Sequence, residues 1–184
     1  MADRETELML RVKAGDRAAF EEIFRLYQKP LANYLYRLTG NRARAEDLLQ
    51  DTFLRLWKAA PNYEPSAKVS TYIFRIAHNL FLNDAARRRE KALESMEAET
   101  RSDPASDLNR REIRSAVQRA VEALPEGERE VLLLSEYNGF KYAEISEILG
   151  IPVGTVKSRM FSAVQKLKES LKGLGHGGPS EESS

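Results

Sequence analysis

The chain has 184 residues, 42% hydrophobic and 31% charged, and its 29 basic and 28 acidic side chains leave a net charge of +1. That composition builds a core and excludes a low-hydrophobicity disordered chain. No run approaches 18 consecutive apolar residues, so membrane insertion is not expected. The opening MADRETELML has neither the apolar stretch nor the cleavage site of a secretory signal, and a cytoplasmic location is expected.

The absence of cysteine excludes disulfides, thiol catalysis, thiol sensing and cysteine-held zinc. His78 and His176 are the only histidines, far apart in sequence, and no metal or other cofactor is expected. The balanced total conceals local clusters. Residues 1–90 carry 16 basic and 12 acidic side chains, and residues 91–112 carry 4 and 6. Residues 121–147 hold 7 acidic and 2 basic, and residues 148–172 hold 5 basic and 1 acidic. A neutral protein binds nucleic acid when its positive charge gathers on one surface, though with modest affinity for bulk DNA.

In chain order, the first helix is predicted over about 5–13 and stops near Gly15. Asp16 is the N-cap of the next, with Ala19, Phe20, Ile23, Phe24 and Tyr27 behind it. Pro30 is expected to interrupt or restart that helix, which continues through Leu31, Tyr34, Leu35 and Leu38 to the turn at Gly40-Asn41. Residues 43–59 form the clearest amphipathic helix. Ala45, Leu48, Leu49, Thr52, Phe53, Leu56 and Trp57 recur at three- and four-residue steps and make one buried stripe.

The two prolines of PNYEPSAK, 61–68, break the helix, and another fits 70–89 with Ile73, Ile76, Ala77, Leu80 and Phe81 facing inward. Residues 91–112 have few apolar positions and read as an acidic linker. Extended, these residues reach about 75 Å at about 3.4 Å each, so tight packing of the flanking modules is not required. A helix over 112–123 follows. Pro125 is placed as the first residue of the next, whose core face is Val131, Leu132, Leu133, Leu134 and Tyr137. A short helix, Tyr142 to Leu149, then the tight Gly150-Ile151-Pro152 connection, then a longer helix over about 153–171 make a helix-turn-helix signature. Residues 173–184 are expected to be a disordered tail.

The fold class is therefore all-α. Two small helical domains, 5–90 and 113–172, are joined by a flexible linker at 91–112, and the second contains the helix-turn-helix.

Three faces carry functional information. On the last helix, Val156, Met160, Val164, Leu167 and Leu171 anchor one side, leaving Thr155, Lys157, Ser158, Arg159 and Ser162 outward or lateral near its N-terminal half. Helix-turn-helix readers meet base edges there, and an arginine such as Arg159 can bond bidentately to guanine. On 43–59, Asp47, Gln50, Asp51 and Leu54 share a non-core face. Its carboxylates could be read as a Mg²⁺ or general-acid site, but no phosphate loop or histidine accompanies them, and docking on a basic partner accounts for them better. The stretch STYIFRIAHNLFLNDAARRRE, 70–90, combines aromatics, His78-Asn79 and three successive arginines, a mixture suited to phosphates and exposed bases.

Four segments in order, FEEIFRLYQKPLANYLYRL (20–38), AEDLLQDTFLRLW (45–57), TYIFRIAHNLFLNDAARRR (71–89) and LPEGEREVLLLSEYNGFKYAEISEILGIPVGTVKSRM (124–160), resemble the extracytoplasmic-function (ECF) group of bacterial sigma-70-type transcription initiation factors. The resemblance covers about 10–172. It implies a protein without an active site that binds core RNA polymerase and promoter DNA and is controlled by an anti-sigma factor.

By the resemblance, Asp47, Gln50, Asp51 and Leu54 would grip a coiled coil of the largest polymerase subunit. The loop from Asn62 to Lys68, with Tyr72, Arg75, His78, Asn79 and Arg87, Arg88 and Arg89, would meet the −10 element. Thr155, Lys157, Ser158, Arg159 and Ser162 would meet the −35 element. The acidic linker would thread near the RNA exit path. The chain departs from the family pattern at Tyr72, often tryptophan, and at Ser162 and Val164, often arginines. Fewer phosphate contacts there would weaken or re-tune −35 binding. The other reading is a stand-alone helix-turn-helix regulator, which would be expected to dimerise on a palindromic site.

Overall fold

The computed structural model describes residues 3–95 and 110–172. Among these residues it contains eight α-helices and two short helical turns, with no strand. No helix among them is long and apolar enough to cross a membrane. The first module comprises α1 (Arg4–Lys13), α2 (Arg17–Thr39), α3 (Arg42–Ala59), a 3₁₀ turn at Ala60–Asn62, and α4 (Val69–Ser95).

Its helix starts are set by short polar side chains. Asp16 accepts from the Ala18 and Ala19 amides at 2.9 and 3.1 Å, and Asn41 accepts from the Arg44 amide at 3.1 Å. Asp16 also accepts from Arg11 at 2.9 Å, which ties the end of α1 to the start of α2. Gly40, at φ +62°, ends α2 in the left-handed conformation that glycine adopts without penalty. Met9, Ile23, Leu31, Leu35, Leu56 and Ile73 are fully buried where the four helices meet. Thr52 is buried among them and its hydroxyl is satisfied by the Leu48 carbonyl at 2.6 Å.

Pro30 does not interrupt α2, which runs unbroken from Arg17 to Thr39. The expectation of a break fails because Pro30 lies on the exposed side of α2. Leu26, whose carbonyl loses its partner, is also half exposed, so water can take that bond. The buried faces on either side hold the helix through the proline.

The second module comprises α5 (Arg110–Glu122), α6 (Glu126–Leu132), a π turn at Leu133–Tyr137, α7 (Tyr142–Leu149) and α8 (Val153–Leu171). Leu133, Leu134, Ile145, Ile148 and Val156 are its fully buried centre. Pro125 is the N-cap of α6 rather than its first residue. Tyr137, expected in the core, is 46% exposed. The π turn is the cause: its i→i+5 bonding breaks the three- and four-residue spacing that would have kept Tyr137 on the face of Leu133 and Leu134.

Two boundaries move. The fourth helix continues to Ser95 rather than 89, through good helix formers, and α5 begins at Arg110. Most of the acidic segment, 96–109, and the tail, 173–184 with His176, lie outside the described residues. The two modules are packed together, α4 against α7 and α2 against α6 and the π turn. Linker length limits only how far apart the modules can go; it carries no information about whether their faces fit.

Candidate nucleic-acid interface

On α3, Asp47, Gln50, Asp51 and Leu54 are all exposed, Leu54 at 57%. Glu46 on the same helix is paired with Arg42 at 2.9 Å. Asp47 and Asp51, by contrast, have no ion pair or hydrogen bond among the described residues. Beside them lies an apolar groove lined by Phe20, Phe24, Gln50, Phe53, Leu54 and Trp57. Its aromatic wall is set by edge-on packing, with Phe20 5.1 Å from Trp57 and Phe24 4.7 Å from Phe53 between ring centres. The sequence pattern placed Trp57 in a buried stripe and Phe20 and Phe24 among the apolar residues of α2. All three are half-buried, and their outer edges extend the polar face of α3 into a surface with an apolar centre and an acidic rim.

The loop before α4 and α4 itself carry the second group. Asn62, Lys68, Asn79, Arg87 and Arg89 are exposed, and Tyr72, Arg75 and Arg88 are half-buried. Lys13 holds the start of the loop by donating to the Tyr63 carbonyl at 2.8 Å. The Tyr63 and Tyr72 rings pack at 5.3 Å, and the Arg75 guanidinium lies 5.8 Å from the centre of the Tyr72 ring. Arg88 donates to Asp84 at 3.1 Å, and Arg44 of α3 donates to the same carboxylate at 2.8 Å, so Arg88 is engaged within its module.

His78 is set apart from this group. Its side chain is buried, facing the second module, and burial pushes its pKa down to about 4. Its Nδ1 lies 3.5 Å from the Tyr34 hydroxyl and 3.9 Å from Glu130 Oε1, which is too long for a hydrogen bond. Glu130 is itself buried and Oε1 has no hydrogen-bond partner. Burial, reinforced by Glu126, pushes its pKa up to about 7 against the opposing charges of Arg159 and Arg129. At neutral pH His78 is uncharged, so its proximity to Glu130 is not an ion pair.

The helix-turn-helix is pinned at its turn. Gly150 takes φ +65°, and the Ser146 hydroxyl donates to the Ile151 carbonyl at 2.5 Å. Lys157 and Ser158 point outward from α8, while Thr155, Arg159 and Ser162 are half-buried. Arg159 folds toward α6: its Cζ would lie 2.8 Å from a Cβ placed at Gly127, so the glycine makes room for it. Ser162 donates to Glu128 at 2.9 Å, and Lys166 donates to the same oxygen at 2.7 Å. Glu128 thus gathers the lateral residues of α8. The contact spans 34 positions in sequence, so helical spacing alone does not reveal it.

Phe161 was also missed. It is 68% exposed, one turn along from Lys157 and Ser158 on the outward face. An apolar residue there can meet a thymine methyl. The signal was present in the spacing, since Phe161 falls outside the stripe of Val156, Met160 and Val164.

Residues 23–91 match the family model for Sigma-70 region 2, and residues 114–167 match that for Sigma-70, region 4. The chain is 34% identical over 166 residues to the ECF RNA polymerase sigma factor SigE of Mycolicibacterium smegmatis, across 85% of this chain and 64% of that relative's length. It is 30% identical over 178 residues to the ECF RNA polymerase sigma factor SigW of Bacillus subtilis, across 89% of this chain and 94% of the relative. Among solved structures it resembles the sigma factor RpoE in complex with the anti-sigma factor NepR from Bartonella quintana. The TM-score is 0.72 at 28% identity, over 83% of this chain and 96% of that one. CnrH, in complex with the cytosolic domain of CnrY, gives the same TM-score at 24% identity and supports the shared fold.

Proposed function

The chain belongs to the ECF RNA polymerase sigma factors, and from that premise we propose how its surfaces divide the work of transcription initiation. The α3 face docks core RNA polymerase. Asp47 and Asp51 meet basic groups, and Leu54 with the neighbouring aromatic groove receives an apolar side chain. The loop from Asn62 to Lys68 and the exposed side of α4 hold the −10 element, and α8 holds the −35 element. The observation that carries this assignment is the pair of exposed, unpartnered carboxylates on α3 bordering an apolar groove, on the module that matches region 2.

Strand opening costs a few kcal/mol per base step, and capture of unstacked bases offsets part of it. Asn62, Asn79 and Tyr72 supply hydrogen-bonding and stacking groups for that capture, and Arg75, Arg87 and Arg89 supply phosphate contacts. Nucleotidyl transfer belongs to the polymerase. The protein works in the cytoplasm, under an anti-sigma factor that covers one or both modules.

Co-elution with purified core RNA polymerase from a sizing column at about 0.15 M salt, near physiological ionic strength, tests the class. A stoichiometric complex is expected, and none formed by folded, inhibitor-free protein overturns the reading. It would favour a stand-alone duplex regulator.

Within α8, R159A is expected to weaken binding to the −35 duplex by about 1–3 kcal/mol while leaving random duplex little changed, as loss of a bidentate guanine contact would. Fluorescence titration against both duplexes separates the alternatives. Equal losses, with the salt dependence reduced by about one ion, would make Arg159 a phosphate contact.

A further inference from the structure

Helix α1 precedes residues 23–91, the segment that matches Sigma-70 region 2, and no promoter or polymerase contact is assigned to it. It is nonetheless firmly seated. Met9 and Val12 are buried where α1 meets α2 and α4, Glu5 accepts from the Tyr27 hydroxyl of α2, and Arg11 pairs with Asp16 at 2.7 Å. Its last residue reaches much farther along the chain. Lys13 Nζ donates to the Tyr63 carbonyl, 50 positions away, at 2.8 Å.

That carbonyl is a root of the loop assigned to the −10 strand. Tyr63 and Val69 are buried at the two roots, and Glu64, Pro65, Ser66 and Lys68 between them are exposed. The 3₁₀ turn that leads into Tyr63, and that ends in Asn62, packs on α1. From Tyr63 the contacts continue outward. Its ring lies 5.3 Å from that of Tyr72, and the Arg75 guanidinium lies 5.8 Å from the Tyr72 ring centre. One line of contacts thus runs from α1 to a stacking group and a phosphate-binding group.

We propose that Lys13 is a positioning residue for the −10 element: by fixing the Tyr63 carbonyl it holds the loop in the register from which Asn62 and Tyr72 select one unstacked base. This rests on the assignment of the loop and α4 to the −10 strand.

A charged donor on a partly buried carbonyl makes one of the stronger hydrogen bonds. Lys13 also ends α1, where the helix dipole favours a cation and keeps the ammonium beside the turn. The other root is held less strongly. Lys68 pairs with Glu144 at 2.7 Å, but its side chain is 63% exposed, and such a pair contributes little. Choosing between bases requires reading groups held to within about 0.5 Å, whereas attraction to phosphate does not. Loosening the root therefore costs discrimination at one base and spares general affinity.

K13M keeps the alkyl stem and removes the donor, and K13R keeps a donor. Lys13 is exposed, so neither change disturbs the core. In the free full-length chain, amide order parameters at Ser66 and Ala67 are expected near about 0.85 in wild type and K13R and below about 0.6 in K13M. With holoenzyme, the probes are the single strand that the wild type selects from a randomised pool and its single-base variants. K13M is expected to lose about tenfold in discrimination at one base, the size of one specific base contact, and to keep its discrimination elsewhere and its affinity for polymerase. K13R is expected to restore the lost factor.

Unchanged discrimination in K13M, an equal loss at every base, or order parameters left at wild-type values overturns the proposal. N62A separates it from the reading beneath it. If N62A lowers discrimination and K13M does not, Lys13 has no positioning role and the loop assignment stands. If neither does, both fall.

Discussion

Replacing Asp47 and Asp51 together with alanine is expected to weaken assembly with core RNA polymerase by about 100-fold while leaving the fold intact. Each carboxylate is exposed and has no partner within the described chain, so its removal takes nothing from the native state. Exposed substitutions of this kind usually change stability by no more than about 0.5 kcal/mol, and alanine is the better helix former. In a complex the same two groups would be desolvated against basic side chains, where each charge contact is worth about 1.5 kcal/mol or more. Two such losses amount to about 3 kcal/mol, or about 100-fold in affinity.

The apolar part of the same surface gives an internal control. Leu54, 57% exposed, borders the aromatic groove. The affinity lost in L54A should be the same at low and high salt, because its contact is not electrostatic, whereas the loss in the aspartate variants should shrink as salt rises. A binding titration in parallel with a thermal melt checks the aspartate result. Unchanged affinity in a folded double variant would remove the docking role from α3.

The helices were legible in the sequence because their signals are local. Asp16 and Asn41 cap where short polar residues precede periodic apolar ones, and the stripe through Leu48, Thr52 and Leu56 needs only helical spacing. What failed depended on partners distant in sequence. Pro30 is tolerated because α2 buries a face on both sides of it, and Tyr137 leaves the core because a π turn shifts its register and Arg37 receives its ring.

The candidate surfaces were legible as faces but not as neighbours. Periodicity put Arg159 and Ser162 lateral on α8. Only the fold reveals that Glu128 and Gly127 are what they lie against. His78 has the same lesson at greater scale. An imidazole beside Asn79 in a basic, aromatic helix reads as a nucleic-acid group, whereas its surroundings are Tyr34, 44 positions away in the same module, and Glu130 in the other.

Those surroundings set the pH response of the native chain's stability. The groups facing Glu130 are Tyr34 from α2, His78 from α4, Glu126 and Arg129 from α6, and Arg159 from α8. Burial raises Glu130 from 4.5 to about 7, so the native state keeps a proton that the unfolded state gives up, and stability falls as pH rises through that window. Burial lowers His78 from 6.5 to about 4, so the unfolded state takes a proton that the native state refuses, and stability falls as pH drops through that window.

Between 4.5 and 6.5 the two slopes oppose each other, for the native pair and the unfolded pair both hold one proton. The wild-type pair should therefore contribute almost no slope there. E130Q removes one side of the balance and should expose the other. Relative to the wild-type response it should lose about 3 kcal/mol on acidification from about pH 7 to about pH 4, since each tenfold difference in proton affinity between the native and unfolded states is worth about 1.4 kcal/mol. H78N should show the mirror image, losing stability as pH rises from 4.5 to about 7, and the double variant should return to a flat profile. Urea melts of the four proteins across that range make the comparison. If E130Q and wild type change in parallel with pH, Glu130 titrates as a solvated carboxylate in the native chain and its burial does not set the response.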